Sequence, residues 1–422
     1  MIRLCKPLFL LTLLFGLCSA AHAFDAEQAT QAWLATQSTA DRLRSDAYFE
    51  GGYWLLLVDL VWALAFAWFF MGLGASARLR DRIARFTRRR WLADMLYIAG
   101  YVIALTVISL PLNLWEGYFR EHNYGLSNQS LGQWFTEGAT SLVVAVVFMA
   151  PLAALIWASV RRSPRHWWLW GSAISTVFLA ISIAVVPVFV APLFNDYKPL
   201  PDSPIRSQIL SMARANGVPA TEVYEFDASR QSTRISANVS GLFGTERVSL
   251  NDNLLKRTTP AEVRAVMGHE IGHYTLNHGI KLIIGFGLIS VAAFAFIRRA
   301  LQWALKRYGA RWRVQEMGDI AVAPAVVAAF TLFMTVITPL TNTMVRSIEQ
   351  EADYFGLNAA REPDAFARVA LRLSEYRKIN PGRIEEILFF DHPSGATRIR
   401  TAMRWKAEHL DESTVSAPPK TN

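Results

Sequence analysis

"GHEIGHYTLNHGIKLIIGFGLISVAAFAFI", residues 268–297, sets two histidines four apart with a glutamate beside the first, then passes at once into an apolar run. The first part reads as a surface helix bearing a metal motif and the second as a membrane span, so the fold has to place the two side by side. Upstream, Thr259, Pro260 and Glu262 supply an N-cap, a first-turn proline and a capping box, which start a helix under the motif. On that helix His269 and His273 share one face, about 6 Å apart along the axis. Two imidazoles so placed bind one Zn²⁺, and Glu270 lies close enough to handle water beside it. Glu262 and Arg264 keep this helix out of mid-membrane. The competing reading is an amphipathic helix with chance histidines, but the chain has only eight of them.

The 422-residue chain is 52% hydrophobic and only 18% charged, with mean hydropathy +0.22. That balance predicts a polytopic membrane protein. Six stretches (53–75, 92–114, 139–160, 167–194, 280–297 and 320–340) approach the ~20 apolar residues a transmembrane helix needs. The net charge of +9 sits in short segments between them: "SARLRDRIARFTRRR" (76–90), "VRRSPRHW" (160–167) and "RRALQWALKRYGARWR" (298–313). Clustered that way, and with no nucleic-acid motif, it excludes a nucleic-acid partner and marks orientation in a lipid bilayer. By the positive-inside rule these loops are cytoplasmic, and residues 195–279 and 341–422 both face the outer side. Asp59 and Asp94 fall near the ends of apolar runs, where snorkelling or inter-helix hydrogen bonding accounts for them.

The N-terminus, "MIRLCKPLFLLTLLFGLCSAAHAF", has a basic start, a short apolar stretch and small residues at Ala21 and Ala23. It reads as a signal peptide over residues 1–23. Cys5 and Cys18, the two cysteines, lie inside it, so the mature chain has no disulfide. The expected organisation is a four-span membrane domain at 24–195, a metallopeptidase domain with two spans at 196–405, and a disordered polar tail at 406–422. With a cleaved leader the outer face is the periplasmic side of a bacterial inner membrane.

A His₂ pair needs a third protein ligand that leaves one position open. Position 279, where a metzincin would have histidine, is glycine; His278 is one residue short and reads as structural. "NTMVRSIEQEADYFGL" (342–357) places Arg346, Glu349 and Asp353 on one helical face. Glu349 as ligand and Asp353 as the carboxylate behind an imidazole make physical sense. A solvated acidic face is the alternative, since Glu351 is there too.

Together, His269-Glu270-x-x-His273 and the later Asn342, Arg346, Glu349, Ala352 and Asp353 resemble the zinc metallopeptidases of the CAAX prenyl protease type 1 family. The similarity extends through "LPLNLWEGYFREHNYGLSNQS" (110–130), "APLFNDYKPLPDSPI" (191–205), "ANVSGLFGTERVSLNDNLL" (237–255) and "DHPSGATRI" (391–399), about residues 50 to 405 in all. The resemblance implies a mostly α fold: membrane helices around a chamber, with a gluzincin-type α+β protease domain containing a small sheet. It implies one Zn²⁺ held by His269, His273 and Glu349, with Glu270 as general base. Asp353 would orient an imidazole or donate a proton, and His392 and Arg398 would line the cleft and meet the oxyanion. Asn238 and Arg346 are expected at the peptide or protein substrate, and the segment around 240–250 as a strand edge that could pair with it.

The sequence departs from that family in its topology. Prenylated CAAX tails are made on the cytosolic side, whereas the charge pattern places this site outside. A membrane-associated or exported protein is therefore the expected substrate, with processing of a lipidated one as the alternative. An intramembrane site-2 protease would put HExxH inside a span, which Glu262 and Arg264 oppose. An ion-binding transporter would leave Glu270 and the capped helix without a reason.

Overall fold

The computed structural model describes residues 24–241 and 246–409. The expected signal peptide lies outside these residues, as does the chain beyond 409. The fold is mostly helical. Among the described residues six helices are long and apolar enough to cross a membrane. After the short α1 (Ala26–Ala35), capped by Asp25, come α2 (Thr39–Gly72), the amphipathic α3 (Ala75–Phe86), α4 (Arg90–Ile108), α5 (Leu131–Arg162) and α6 (Trp167–Val185). The second span stops at Ser109 because Pro111 has no amide hydrogen to continue the ladder. The chain then resumes as Leu110–Leu114 and a π turn, Trp115–Arg120.

The three basic segments converge at one end of the bundle, and they are more helical than loops. The first forms α3. Arg80 pairs with Asp319, Arg313 with Asp81 at 3.0 Å, and Arg161 with Asp94 at 2.5 Å. Ser76 Oγ joins the phenol of Tyr97 to the carbonyl of Ala321, at 2.6 Å each. Asp94 therefore makes the inter-helix contact expected of it, and a carboxylate buried here is tolerated because Arg161 compensates it. Asp59 lies on an exposed flank of α2.

At the other end stands a four-stranded sheet, β1 (Tyr197–Pro199), β2 (Val223–Phe226), β3 (Ala237–Ser240) and β4 (Arg247–Asn251), in the order β1-β2-β4-β3. β2 and β4 are parallel and the other pairs antiparallel, leaving β3 at an edge. Residues 242–245, between β3 and β4, are outside the described chain. Val223, Val248 and Leu250 bury one sheet face against Ile209 of α7 (Pro204–Ala215). Asn251 ends β4, caps α8 (Asp252–Arg257) through Leu254 N at 2.8 Å, and ties down the entry to β3 through Ser236 N at 3.1 Å.

The next helix, α9 (Pro260–Thr275), carries the HExxH motif and packs Met267 and Ile271 into the same core. Its capping box is present: Glu262 N meets Thr259 Oγ1 at 3.3 Å, and Thr259 N meets the Glu262 carboxylate at 2.7 Å. Glu262 is fully buried and also takes the Arg372 guanidinium at 2.7 Å. Burial works to raise its pKa, but the hydrogen bonds from Arg372 and Thr259 outweigh this and hold it below 4.5. A depressed carboxyl stabilises the fold above its unfolded-state pKa and loses that contribution as pH falls through the folded value. Glu262→Gln is thus expected to lower the melting temperature in detergent at pH 7, with the gap to the parent closing as pH drops below 4.5. Melting curves at the two pH values check this.

The chain returns through the membrane as a hairpin of α10 (His278–Trp312) and α11 (Ala323–Ala360), then adds α12 (Pro363–Leu373), α13 (Arg383–Phe389) and α14 (Gly395–His409). Beyond the apolar run that ends at 340, α11 continues as one helix of 38 residues into the Glu349 motif. Around the end of that run the Thr338 and Thr343 hydroxyls are satisfied by the carbonyls four residues earlier, Met334 and Pro339. Residues 406–409, the start of the tail expected from 406, are helical. α14 continues to His409, held by Lys406 against Asp364 at 2.6 Å and over the ring of Phe24.

Candidate metal centre and active-site cleft

α9 and α11 cross at backbone contact. A Cβ on Gly268 would meet Gly356 O at 2.9 Å, and one on Gly356 would meet His269 N at 2.8 Å. That approach, open only to glycine, brings the histidine face of α9 against the carboxylate face of α11. The result is a cluster of His269, His273 and Glu349 whose donor atoms all lie within 4.8 Å of one another. The two Nε2 atoms are 3.1 Å apart, and the Glu349 oxygens are 3.2 Å from His269 Nε2 and 3.5 Å from His273 Nε2.

These residues fit a bound zinc ion. Three lone-pair donors of the right types converge from two helices. Glu349 Oε2 is buried and, although 3.2 Å from His269 Nε2 and 3.3 Å from His392 Nε2, is aligned with neither as a hydrogen-bond acceptor. An unsatisfied buried carboxylate oxygen facing two imidazole nitrogens is what a cation would satisfy.

The electrostatics of the cluster point the same way. Burial disfavours the charged form of His269, but the adjacent Asp353 and Glu349 carboxylates outweigh it and push the ring up to about 9. Burial and the neighbouring His269 charge push His273 down to about 4. The pair thus holds one positive charge among the carboxylates, in the place a divalent ion would take with both rings neutral. Burial pushes the Glu270 carboxyl up to about 7, with the His269 charge opposing it. A carboxyl raised in this way is suited to act as a base near neutral pH.

Asp353 is almost fully buried and reaches His269 Nδ1 at 2.9 Å. Its other contacts go to Arg398, whose Nε donates to Oδ2 at 3.0 Å and whose Nη2 pairs with Oδ1. The carboxylate is therefore fully committed behind His269, which favours the orienting role over the proton-donor one. The cleft, with a volume of about 220 Å³, is lined by Glu270, Glu349, His392, Arg398, Arg377 and the backbone approach to β3 at Ser236. His392 Nδ1 is fixed by Asp391 at 2.8 Å, which turns Nε2 toward Glu349.

Two expected substrate residues stand apart. Asn238 pairs with Ser249 within the sheet and is not among the residues lining the cleft. Arg346 turns away from the cleft and donates to the carbonyls of Glu386 and Phe390, at 2.9 and 2.5 Å, bracing the loop that presents His392. Two cleft or near-cleft residues had no assigned role in the sequence. Arg377 lies in an aperiodic turn with no spacing signal. The sequence marks His278 as structural, and its ring meets His273.

Known proteins share this architecture. The profile of "Peptidase family M48" matches residues 199–406, and that of "CAAX prenyl protease N-terminal, five membrane helices" matches residues 30–196. "Uncharacterized metalloprotease YhfN" of Bacillus subtilis is 26% identical over 84% of this chain and 83% of its own length. "CAAX prenyl protease 1" of Saccharomyces cerevisiae is 24% identical over 77% of this chain and 75% of its own. The crystal structure of S. mikatae Ste24p superposes with a TM-score of 0.74 at 20% identity, covering 87% of this chain and 90% of that one, and shows the same fold. Matched over both its membrane helices and its HExxH region, the chain belongs to the CAAX prenyl protease type 1 kind of M48 metallopeptidases and is an integral, multi-pass membrane metalloprotease.

Proposed function

We propose that the protein is a zinc endopeptidase that cuts membrane-associated or exported polypeptides at the outer face of a bacterial inner membrane. The observation that carries this is the convergence of His269, His273 and Glu349 beside Glu270, at the end of the bundle opposite the arginine cluster. When bound, Zn²⁺ supplies Lewis acidity toward water and the scissile carbonyl. Glu270 takes the proton of the attacking water and returns it to the leaving amine. Asp353, braced by Arg398, fixes the His269 ring. His392, its Nδ1 fixed by Asp391, meets the charge that develops on the carbonyl oxygen. Arg398 is spent mainly on Asp353, which leaves His392 the better-placed donor.

Chelation should remove proteolysis of an unfolded membrane substrate, and added Zn²⁺ should restore it. Activity persisting at full rate in the metal-stripped protein would defeat the proposal. Orientation is tested separately by reporter fusions after His409. A periplasmically active reporter supports the outer face, and a cytoplasmically active one reverses it.

A lipidated substrate is the second reading, favoured by an apolar cavity of about 380 Å³ between α2 and α11, lined by Tyr53, Trp54, Leu57, Pro339 and Phe389. Phe389 lies three residues before His392, so a hydrocarbon chain held there would reach the cleft region. The naming of several relatives as CAAX prenyl proteases agrees with it. A cytoplasmic orientation in the fusion experiment would make this the leading reading.

A further inference from the structure

We infer that His278 and Glu351 form a positioning relay behind His273, the counterpart of the Asp353–Arg398 pair behind His269. The inference rests on the metal-centre reading above. Leu276 and Asn277 turn the chain between α9 and α10, with Asn277 in the left-handed region at φ 55°. The turn folds the first residue of α10 back beneath α9. His278 is thereby almost fully buried, and its Nδ1 lies 2.9 Å from His273 Nδ1. On its far side, Nε2 lies 3.2 Å from the Glu351 carboxylate, which is also paired with Lys281. Glu351 is on α11, so the relay, like the metal cluster, bridges both helices.

The order of the partners fixes the protons. An ionised carboxylate only accepts, so His278 Nε2 carries a hydrogen toward Glu351. The neutral ring then offers a lone pair at Nδ1, which accepts the Nδ1–H of His273. His273 is left with its Nε2 lone pair directed at His269 Nε2 and Glu349, the tautomer a metal ligand needs. With the His273 tautomer reversed, His278 would have to donate from Nδ1 and turn a lone pair toward the Glu351 carboxylate. A histidine buried only to fill space does not account for polar contacts aligned on both ring nitrogens. His278 touches neither the cleft nor the cluster's donor atoms; it acts through His273.

The test measures metal binding directly. Purified, chelator-stripped protein in detergent is titrated with Zn²⁺ against a chromogenic competitor, and the Co²⁺-loaded forms are compared by visible absorption. His278→Leu removes the acceptor, and about 10- to 100-fold weaker zinc binding with an altered cobalt spectrum is expected. His278→Asn puts a carbonyl oxygen near the place of Nδ1 and should recover most of that affinity. Because His278→Leu could fail to fold, Glu351→Ala, at a half-exposed position, provides an independent arm and should weaken zinc binding while melting as the parent does. Parental affinity and cobalt spectrum in His278→Leu, His278→Asn no better than His278→Leu, or unchanged affinity in Glu351→Ala would each overturn the relay. If the parent binds no zinc, or His273→Ala binds it as the parent does, the metal centre itself is misassigned.

Discussion

Glu270→Gln is expected to lower kcat by about 10²- to 10⁴-fold, the range typical for losing a positioned general base, while zinc content and melting temperature stay at the parental level. The reason lies in the position of this side chain. Glu270 follows His269 on a helix locked into the sheet core by its neighbours Met267 and Ile271, so its backbone does not move with the substitution. Glutamine has nearly the same volume. Replacing a carboxylate that burial already disfavours with a neutral amide removes a desolvation cost, so the fold has no reason to weaken. The ligand set, His269, His273 and Glu349, is untouched. What is lost is the one cleft carboxylate positioned to accept a proton from water and pass it on. The loss should fall on kcat, with KM little changed, because Glu270 is assigned no part in holding the peptide. Steady-state cleavage of a quenched peptide or an unfolded membrane protein, with metal analysis on the same preparation, checks it. Cleavage at the parental rate by zinc-replete Glu270→Gln would remove Glu270 from the mechanism.

Much of this site was legible in the sequence because its chemistry is written in short spacings on two helices. His269, Glu270 and His273 sit within one turn and a half, and Glu349 and Asp353 share a face by the i, i+4 rule. The membrane spans were legible for the same reason: a run of apolar residues reports its own burial in lipid. Other features depended on tertiary placement that no spacing records. Arg346 shares a face with Glu349, as expected, but its guanidinium is long enough to reach the carbonyls at the end of α13. His278 had no role by any zinc-motif rule, since its contact with His273 follows from a left-handed turn at Asn277. Helix α11 carries on beyond the apolar run that ends at 340, a continuation that hydropathy alone does not record, and its Thr338 and Thr343 hydroxyls are satisfied within the helix. The sheet order was not readable either, because β2 pairs in parallel with β4 across the intervening β3.

Gly356→Ala is expected to damage catalysis far more than its single methyl group suggests. A Cβ at 356 would sit 2.8 Å from His269 N and 3.0 Å from His269 Cα, and both are backbone atoms that no rotamer change can move. The helices α9 and α11 must part by several tenths of an ångström, and they part at the residue that begins the metal motif. Overpacking of this kind costs about 1–3 kcal/mol of stability. The functional cost is larger, because the same separation draws Glu349 and Asp353 away from His269, and displacements near 1 Å in a catalytic array cost about 10²-fold in rate. A loss of kcat/KM approaching that size is expected, with weaker zinc binding and a modest fall in melting temperature; Gly356→Val should be worse on all three counts. Gly382→Ala is the control, since nothing lies within 4 Å of its Cβ position and its backbone is ordinary extended chain. Parental kcat/KM and zinc affinity in Gly356→Ala would mean that the close crossing of the two helices is not what sets the geometry of the cluster.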